Sequence, residues 1–454
     1  MPIRGVLLVQ AAIAVMAVCL WGQGIRPYPD AITNRLFYPK TPMAPPPANT
    51  VFTDPDLGAQ LVRVTDNNMD PKGSNGFFLN PPQDKNEWSV DNRKFFVISG
   101  YSGTILAFAF DPATMTLGSL PGAGPGGGLV VPLNASPTFS FQDPDLMYGT
   151  QLKKSLAIAT YRFSTAQISE LYDTTNCATQ PPLVAGPRVT SSDLTVSDDD
   201  NRISISAGGS GASYRPFVIV YDRTLGCRWY NTQTGQIGGA WGPAGQASTP
   251  DRFLYGHSKI SGNGQYMRIT VGGGFYIWDT SSLNVVSCFD HKGPHCGGYG
   301  AVGYDTYING AGAIDEMNTL RRPLGDLPDY TQLINPMPLP HYWGMELNFA
   351  WNDGRLNTDF PVCGTAYNPT GSMAVKQPYD GEVFCIETDL LASTVWRFAH
   401  NRAVWNPKFF WTQPLGNLSL DGRFFAFTSS WDGQVGVTKE DGDPRTDVWI
   451  VKLN

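Results

Sequence analysis

Six stretches of this chain follow one formula, and a formula repeated at intervals admits few folds. In Leu418–Trp431, LSLDGRFFAFTSSW, Leu418 and Leu420 alternate with Ser419, and Asp421-Gly422 marks a tight turn. Phe424-Phe425-Ala426-Phe427 then forms a second, aromatic-rich strand. WSVDNRKFFVIS (Trp88–Ser99), FSFQDPDLMYGT (Phe139–Thr150), TVSDDDNRISIS (Thr195–Ser206), ISGNGQYMRIT (Ile260–Thr270) and FAWNDGRL (Phe349–Leu356) repeat it. An isolated hairpin is marginal in water, so such units must pack on one another.

The turn residues Asp91, Asp143, Asp199, Asn263, Asp353 and Asp421 stand 52, 56, 64, 90 and 68 residues apart. The gap of 90 is close to two ordinary spacings, which places a degenerate unit near GYGAVGYDTYI (Gly298–Ile308). The expectation is an all-β, seven-bladed β-propeller of four-stranded antiparallel blades, spanning residues 51–454. A ring of blades closes when one terminus lends a strand to the blade built by the other. Gln60–Val64, within VFTDPDLGAQLVRVTD, is expected to pair with TDVWIVKL (Thr446–Leu453).

The first 24 residues carry Arg4, an apolar run from Val6 to Leu20, then Gly22 and Gly24, the pattern of a cleaved signal peptide. The run is slightly short of the ~20 residues that span a bilayer. The expectation is therefore a secreted or periplasmic monomer with no membrane association after cleavage. Residues 25–50 are proline-rich and are expected to run extended over the surface. A formal net charge of −7 argues against nucleic acid as a partner, without excluding a local basic pocket for an acidic sugar. The glycine-rich run Gly122–Gly128 lacks the flanking strand, helix and lysine of a phosphate loop.

Beyond Cys19 there are six cysteines, and an even number in an exported chain favours disulfides. Contiguity suggests Cys177–Cys227, Cys288–Cys296 and Cys363–Cys385, each local to a blade or its loop. A metal site at His291-x3-His295-Cys296 is the competing reading. Asp198-Asp199-Asp200 and DGDPRTD (Asp441–Asp447) lack the spacing of a complete Ca2+ loop and read as turns.

Units such as SLDGRFFAFTS and SGNGQYMRIT resemble the WD-like repeats of TolB-type bacterial propellers. Exported propellers of this type include oligogalacturonate and ulvan lyases, which cleave uronic acid polymers by β-elimination. The resemblance implies a Gln and paired histidines that hold a divalent cation, Ca2+ or Mn2+. WTQPLGNLSLDG keeps Gln413, but Pro414, Leu415 and Gly416 stand where histidines would be.

Only five histidines occur: His257, His291, His295, His341 and His400. His257, His341 and His400 each precede an inner strand, where loops converge on one mouth of the ring. Elimination next to a uronate needs a base, a cation or arginine on the carboxylate, and an acid at the leaving oxygen. His257, His341, Tyr342, His400 and Arg402 are of suitable type for those roles, and His257, His400 and Gln413 for holding a metal. Tyr342 and Trp343 could equally form a sugar-stacking platform or ordinary packing. Two functions stay open: a propeller that binds an acidic polysaccharide or a protein through its funnel-face loops, and a polysaccharide lyase. A Ser-His-Asp hydrolase is disfavoured, since there is no G-x-S-x-G.

Overall fold

The recurrent turn is built the same way in four places. Ser419 donates its hydroxyl to Asp421 and accepts the Phe424 N–H, five residues on. Ser89, Ser197 and Ser261 do the same with Asp91 and Lys94, Asp199 and Arg202, and Asn263 and Tyr266. The residue three after each serine is left-handed: Asn92, Asp200, Gly264 and Gly422 have φ between 56° and 73°. Asn, Asp and Gly are the types that tolerate this region, which is why the formula needs them there. Serine before the turn is therefore part of the mechanism of the bend.

The computed structural model describes residues 28–69, 76–81, 85–100, 103–124, 126–152, 154–177, 190–208, 216–271, 274–289, 300–310, 319–326, 331–332, 361–367, 378–387, 394–406, 408–438 and 441–454. The fold is all-β, made of antiparallel sheets, and no α-helix occurs among the described residues. Within them the strands fall into seven sheets. Three have four strands, and the rest have three, five or six, so the uniform four-stranded blade is not kept throughout. The degenerate unit forms strands Gly300–Val302 and Thr306–Gly310. The unit at Phe349–Leu356 lies outside the described residues.

Seven buried apolar clusters each join two neighbouring sheets. Phe96 and Ile105 pack against Phe139 and Met147, Tyr148 and Ile158 against Ile203 and Ile219, and Val218 against Met267 and Trp278. Phe275 then meets Tyr307, Ile308 meets Phe384, Trp396 meets Phe425, and Phe424 returns to Phe95. The succession closes on itself, as a propeller requires. The last join is completed by Gln60–Arg63, which pairs antiparallel with Asp447–Lys452, Leu61 facing Val451 and Val62 facing Ile450. Arg63 bonds Asp447 at 2.6 Å across this seam.

Inner strands meet at the middle of the ring. Thr190–Val196 lies beside both Leu133–Phe139 and His257–Ile260. Side chains tie the inner segments together: Lys85 Nζ, ahead of the strand Lys94–Ser99, donates to the Leu194 carbonyl at 2.9 Å, and the Ile260 N–H donates to Thr195 Oγ1 at 3.0 Å. Trp88 Nε1 donates to the Asn417 carbonyl at 3.4 Å. Glu87, between Asn86 and Trp88, has no solvent exposure.

Two of the expected disulfides are formed, Cys177–Cys227 and Cys363–Cys385. Cys363 and Cys385 face each other directly on adjacent strands. Cys177 lies after the outer strand of one sheet, in the connection to the next, and Cys227 lies in that next sheet, so this bridge ties a blade to its connecting segment. Cys288 is also disulfide-bonded, and Cys296 lies outside the described residues.

Candidate metal centre

Residues 28–46 run across the seam next to the closing blade, held there by cations and aromatic rings. Arg397 is fully buried and forms a bidentate pair with Glu382 at 2.5 and 2.7 Å. Its remaining donor reaches the carbonyls of Asn34 and Leu36 at 3.0 and 2.7 Å. The guanidinium also lies over the rings of Tyr38 and Tyr379. Further along, Trp431 Nε1 donates to the Met43 carbonyl, and Lys40 pairs with Asp432. The segment runs over the surface, most of its residues exposed or half-buried, and these contacts fasten it there.

Arg402 belongs to the same fastening. Its backbone is left-handed at φ 53°, it is 1% exposed, and it bonds Asp432 at 3.1 Å and the Thr41 carbonyl at 2.8 Å. It also lies over the Trp431 ring. The carboxylate-neutralising role expected of Arg402 has no exposed group to act through, because the guanidinium is spent inside the protein.

His400 ends the strand Val395–His400 and is fully buried. The acids at its ring come from the turn between strands Val51–Thr53 and Gln60–Arg63. Asp56 Oδ2 lies 3.3 Å from Nδ1 and Asp54 Oδ2 4.0 Å away. Neither ring nitrogen has a hydrogen bond. Burial pushes the imidazole's pKa down, against the opposing pull of Asp54, Glu382 and Asp56, so the ring is held neutral. The carboxylates are oriented by other donors. Asp54 accepts the N–H groups of Asp56, Leu57 and His400, while Asp56 accepts the N–H and hydroxyl of Thr41 at 2.8 and 2.6 Å. One ligand atom from each of Asp54, Asp56 and His400 can be drawn so that all lie within 4.8 Å of one another. Two fixed carboxylates and a neutral imidazole are a set that a divalent ion can use.

The other expected site residues are placed elsewhere. His257 opens an inner strand and is exposed. Gln413 is buried in the loop before Gly416–Leu418, its amide 3.4 Å from the Tyr367 hydroxyl, and Tyr367 packs on Trp405. His341, Tyr342, His291 and His295 lie outside the described residues. His400 therefore joins Asp54 and Asp56 and not the metal set expected with His257 and Gln413. The sequence signal for the acids was present in TDPDLG, an Asp-Pro-Asp turn closed by Gly58 at φ 87°, but its imidazole partner is more than 340 residues away.

No protein-family model matches the chain, and no curated protein is similar to it in sequence. Solved structures are similar in fold. An oligogalacturonate lyase from Vibrio parahaemolyticus superposes over 93% of this chain and 98% of its own, with 9% identity and a TM-score of 0.54. An oligogalacturonate lyase in complex with manganese covers the same shares with 11% identity and a TM-score of 0.51. TolB from Acinetobacter baumannii shares 14% identity over 64% of this chain and 60% of its own, at a TM-score of 0.33. The two lyases are β-propellers, and the likeness to them is one of fold, which does not carry activity with it.

Proposed function

We propose that this chain is an exported propeller, secreted or periplasmic, that binds an acidic glycan through the loops leading into its inner strands. The observation that carries this reading is the separation of the expected catalytic groups. His257 is presented to solvent at an inner-strand mouth, whereas His400 is buried beside Asp54 and Asp56 and Arg402 in the fastening of residues 28–46. An exposed imidazole beside a loop face suits recognition of a carboxylated sugar. Elimination needs base, acid and carboxylate clamp together on one substrate. Calorimetric titration of the mature protein with pectin-, alginate- and ulvan-type polymers tests this. Saturable binding with no ultraviolet-absorbing unsaturated product supports it, and binding weakened by His257→Ala places the glycan at that mouth. No binding to any polymer would overturn it and leave a protein partner as the ligand.

A lyase is the second reading, favoured by superposition along nearly the whole chain on two oligogalacturonate lyases, one of them a manganese complex. In it, Gln413 with a divalent ion, Ca2+ or Mn2+, would face the uronate. Appearance of unsaturated product, dependent on added Mn2+ or Ca2+ and lost in Gln413→Ala, would favour it over the first.

A further inference from the structure

His400 is fully buried, yet neither ring nitrogen is hydrogen-bonded. Buried side-chain polar atoms are nearly always partnered, so this ring calls for an explanation. One explanation is a simple ion pair with Asp56. The geometry disfavours it: the 3.3 Å approach to Asp56 forms no hydrogen bond, and Asp54 is farther still at 4.0 Å. Two carboxylates crowded against this buried, unpartnered ring repel each other in a poorly solvated pocket unless a cation sits between them.

We propose that Asp54, Asp56 and His400 form a structural site for a divalent transition-metal ion of the Zn2+ type, which bolts the Asp54–Ala59 turn to the end of strand Val395–His400. A borderline ion is favoured over Ca2+ because one of the three ligands is an imidazole nitrogen and the oxygen donors are few. Two carboxylates and one dication leave the pocket neutral. The hydrogen bonds from Thr41 to Asp56, and from the Asp56, Leu57 and His400 N–H groups to Asp54, act as an outer shell that fixes the ligands. Since the turn leads directly into the ring-closing strand Gln60–Arg63, the ion braces the seam of the propeller. The site is separate from the glycan-facing mouth at His257, so it stands or falls independently of the proposed binding function.

The test uses the full mature chain, stripped with a chelator and dialysed. Titration with Zn2+ is expected to give one tight equivalent, confirmed by elemental analysis, with a melting temperature raised by several degrees. Mn2+ should bind more weakly, and Ca2+ should have no effect at this site. Asp56→Asn, a partly exposed position, should fold and lose at least tenfold in Zn2+ affinity. His400→Gln should lose the thermal shift, and His257→Ala should keep it. Absence of a stoichiometric Zn2+ or Mn2+ equivalent overturns the proposal. So does a Zn2+ equivalent that survives Asp56→Asn unchanged, and that variant decides the matter even if His400→Gln does not fold.

Discussion

Glu87 sits among the inner strands with no exposure, and neither carboxylate oxygen is hydrogen-bonded. Burial therefore raises its pKa well above the usual range, against the opposing pull of Asn417. The native state holds this proton at pH values where the unfolded chain has released it. Stability is thus full below the unfolded glutamate pKa and falls as pH rises above it, by up to about 1.4 kcal/mol per unit. Glu87→Gln should stabilise the protein at pH 8 and have little effect near pH 4, read from urea denaturation at both values. A difference that does not change with pH would show that the native carboxyl is ionised. Nothing in KNEW, where Glu87 stands next to Trp88, foretold a buried acid. Its environment is set by Asn417, which lies in the facing inner strand of another sheet.

At the scale of elements, the turns were legible because their chemistry is local. Serine, then Asp or Asn two residues on, then a residue able to turn left-handed, are all contained in six positions. The fastening of residues 28–46 was not legible, because Arg397 and Trp431 hold it largely through the carbonyls of Asn34, Leu36 and Met43. A backbone carbonyl leaves no signature in the side-chain pattern. Trp431 stacks on Trp449 at 3.9 Å, meets the edge of Phe52 and lies beneath Arg402. Trp431→Ala should cost about 3–5 kcal/mol in chemical denaturation. It should also expose residues 28–46 to limited proteolysis before the rest of the chain. A loss under about 1 kcal/mol would mean the aromatic stack does not secure the segment. The Cys177–Cys227 bridge, 50 residues apart in sequence, ties a sheet to the segment that leads into it. Replacing both cysteines by serine should cost about 2–4 kcal/mol, mostly through the freer unfolded chain. No change in the denaturation midpoint would count against that.

For the molecule as a whole, the ring follows from the spacing of the units, whereas the grouping of its polar residues does not. Period and turn chemistry are properties of neighbouring residues. The meeting of Asp54 and Asp56 with His400 depends instead on how the first strands return to the last. Each sheet shares a buried cluster with the next, so the interfaces are linked in a circle and should be lost together. Val62→Pro places proline in a buried strand flanked on both sides, removing ladder hydrogen bonding at the seam. It should lower the stability of the entire protein by about 3 kcal/mol or more, in one transition seen alike by tryptophan fluorescence and circular dichroism. Two resolved transitions would show that the sheets unfold independently of closure.

The seam also sets an order in time. Arg63 and Asp447 are 384 residues apart, so Gln60–Arg63 is synthesised long before the strand it must join. The entropy of bringing such distant ends together grows only slowly with length, about 0.6 kcal/mol for each doubling. Waiting is the greater hazard, because an unpaired strand is a template for any other edge. The stretch Pro42–Pro47, with prolines at 42, 45, 46 and 47, lies just ahead of it, and proline offers no N–H to a foreign ladder. Gln60–Arg63 has Val51–Thr53 on one edge from the start, so a single edge waits for the late strand, and the prolines leave the chain ahead of that hairpin short of N–H donors.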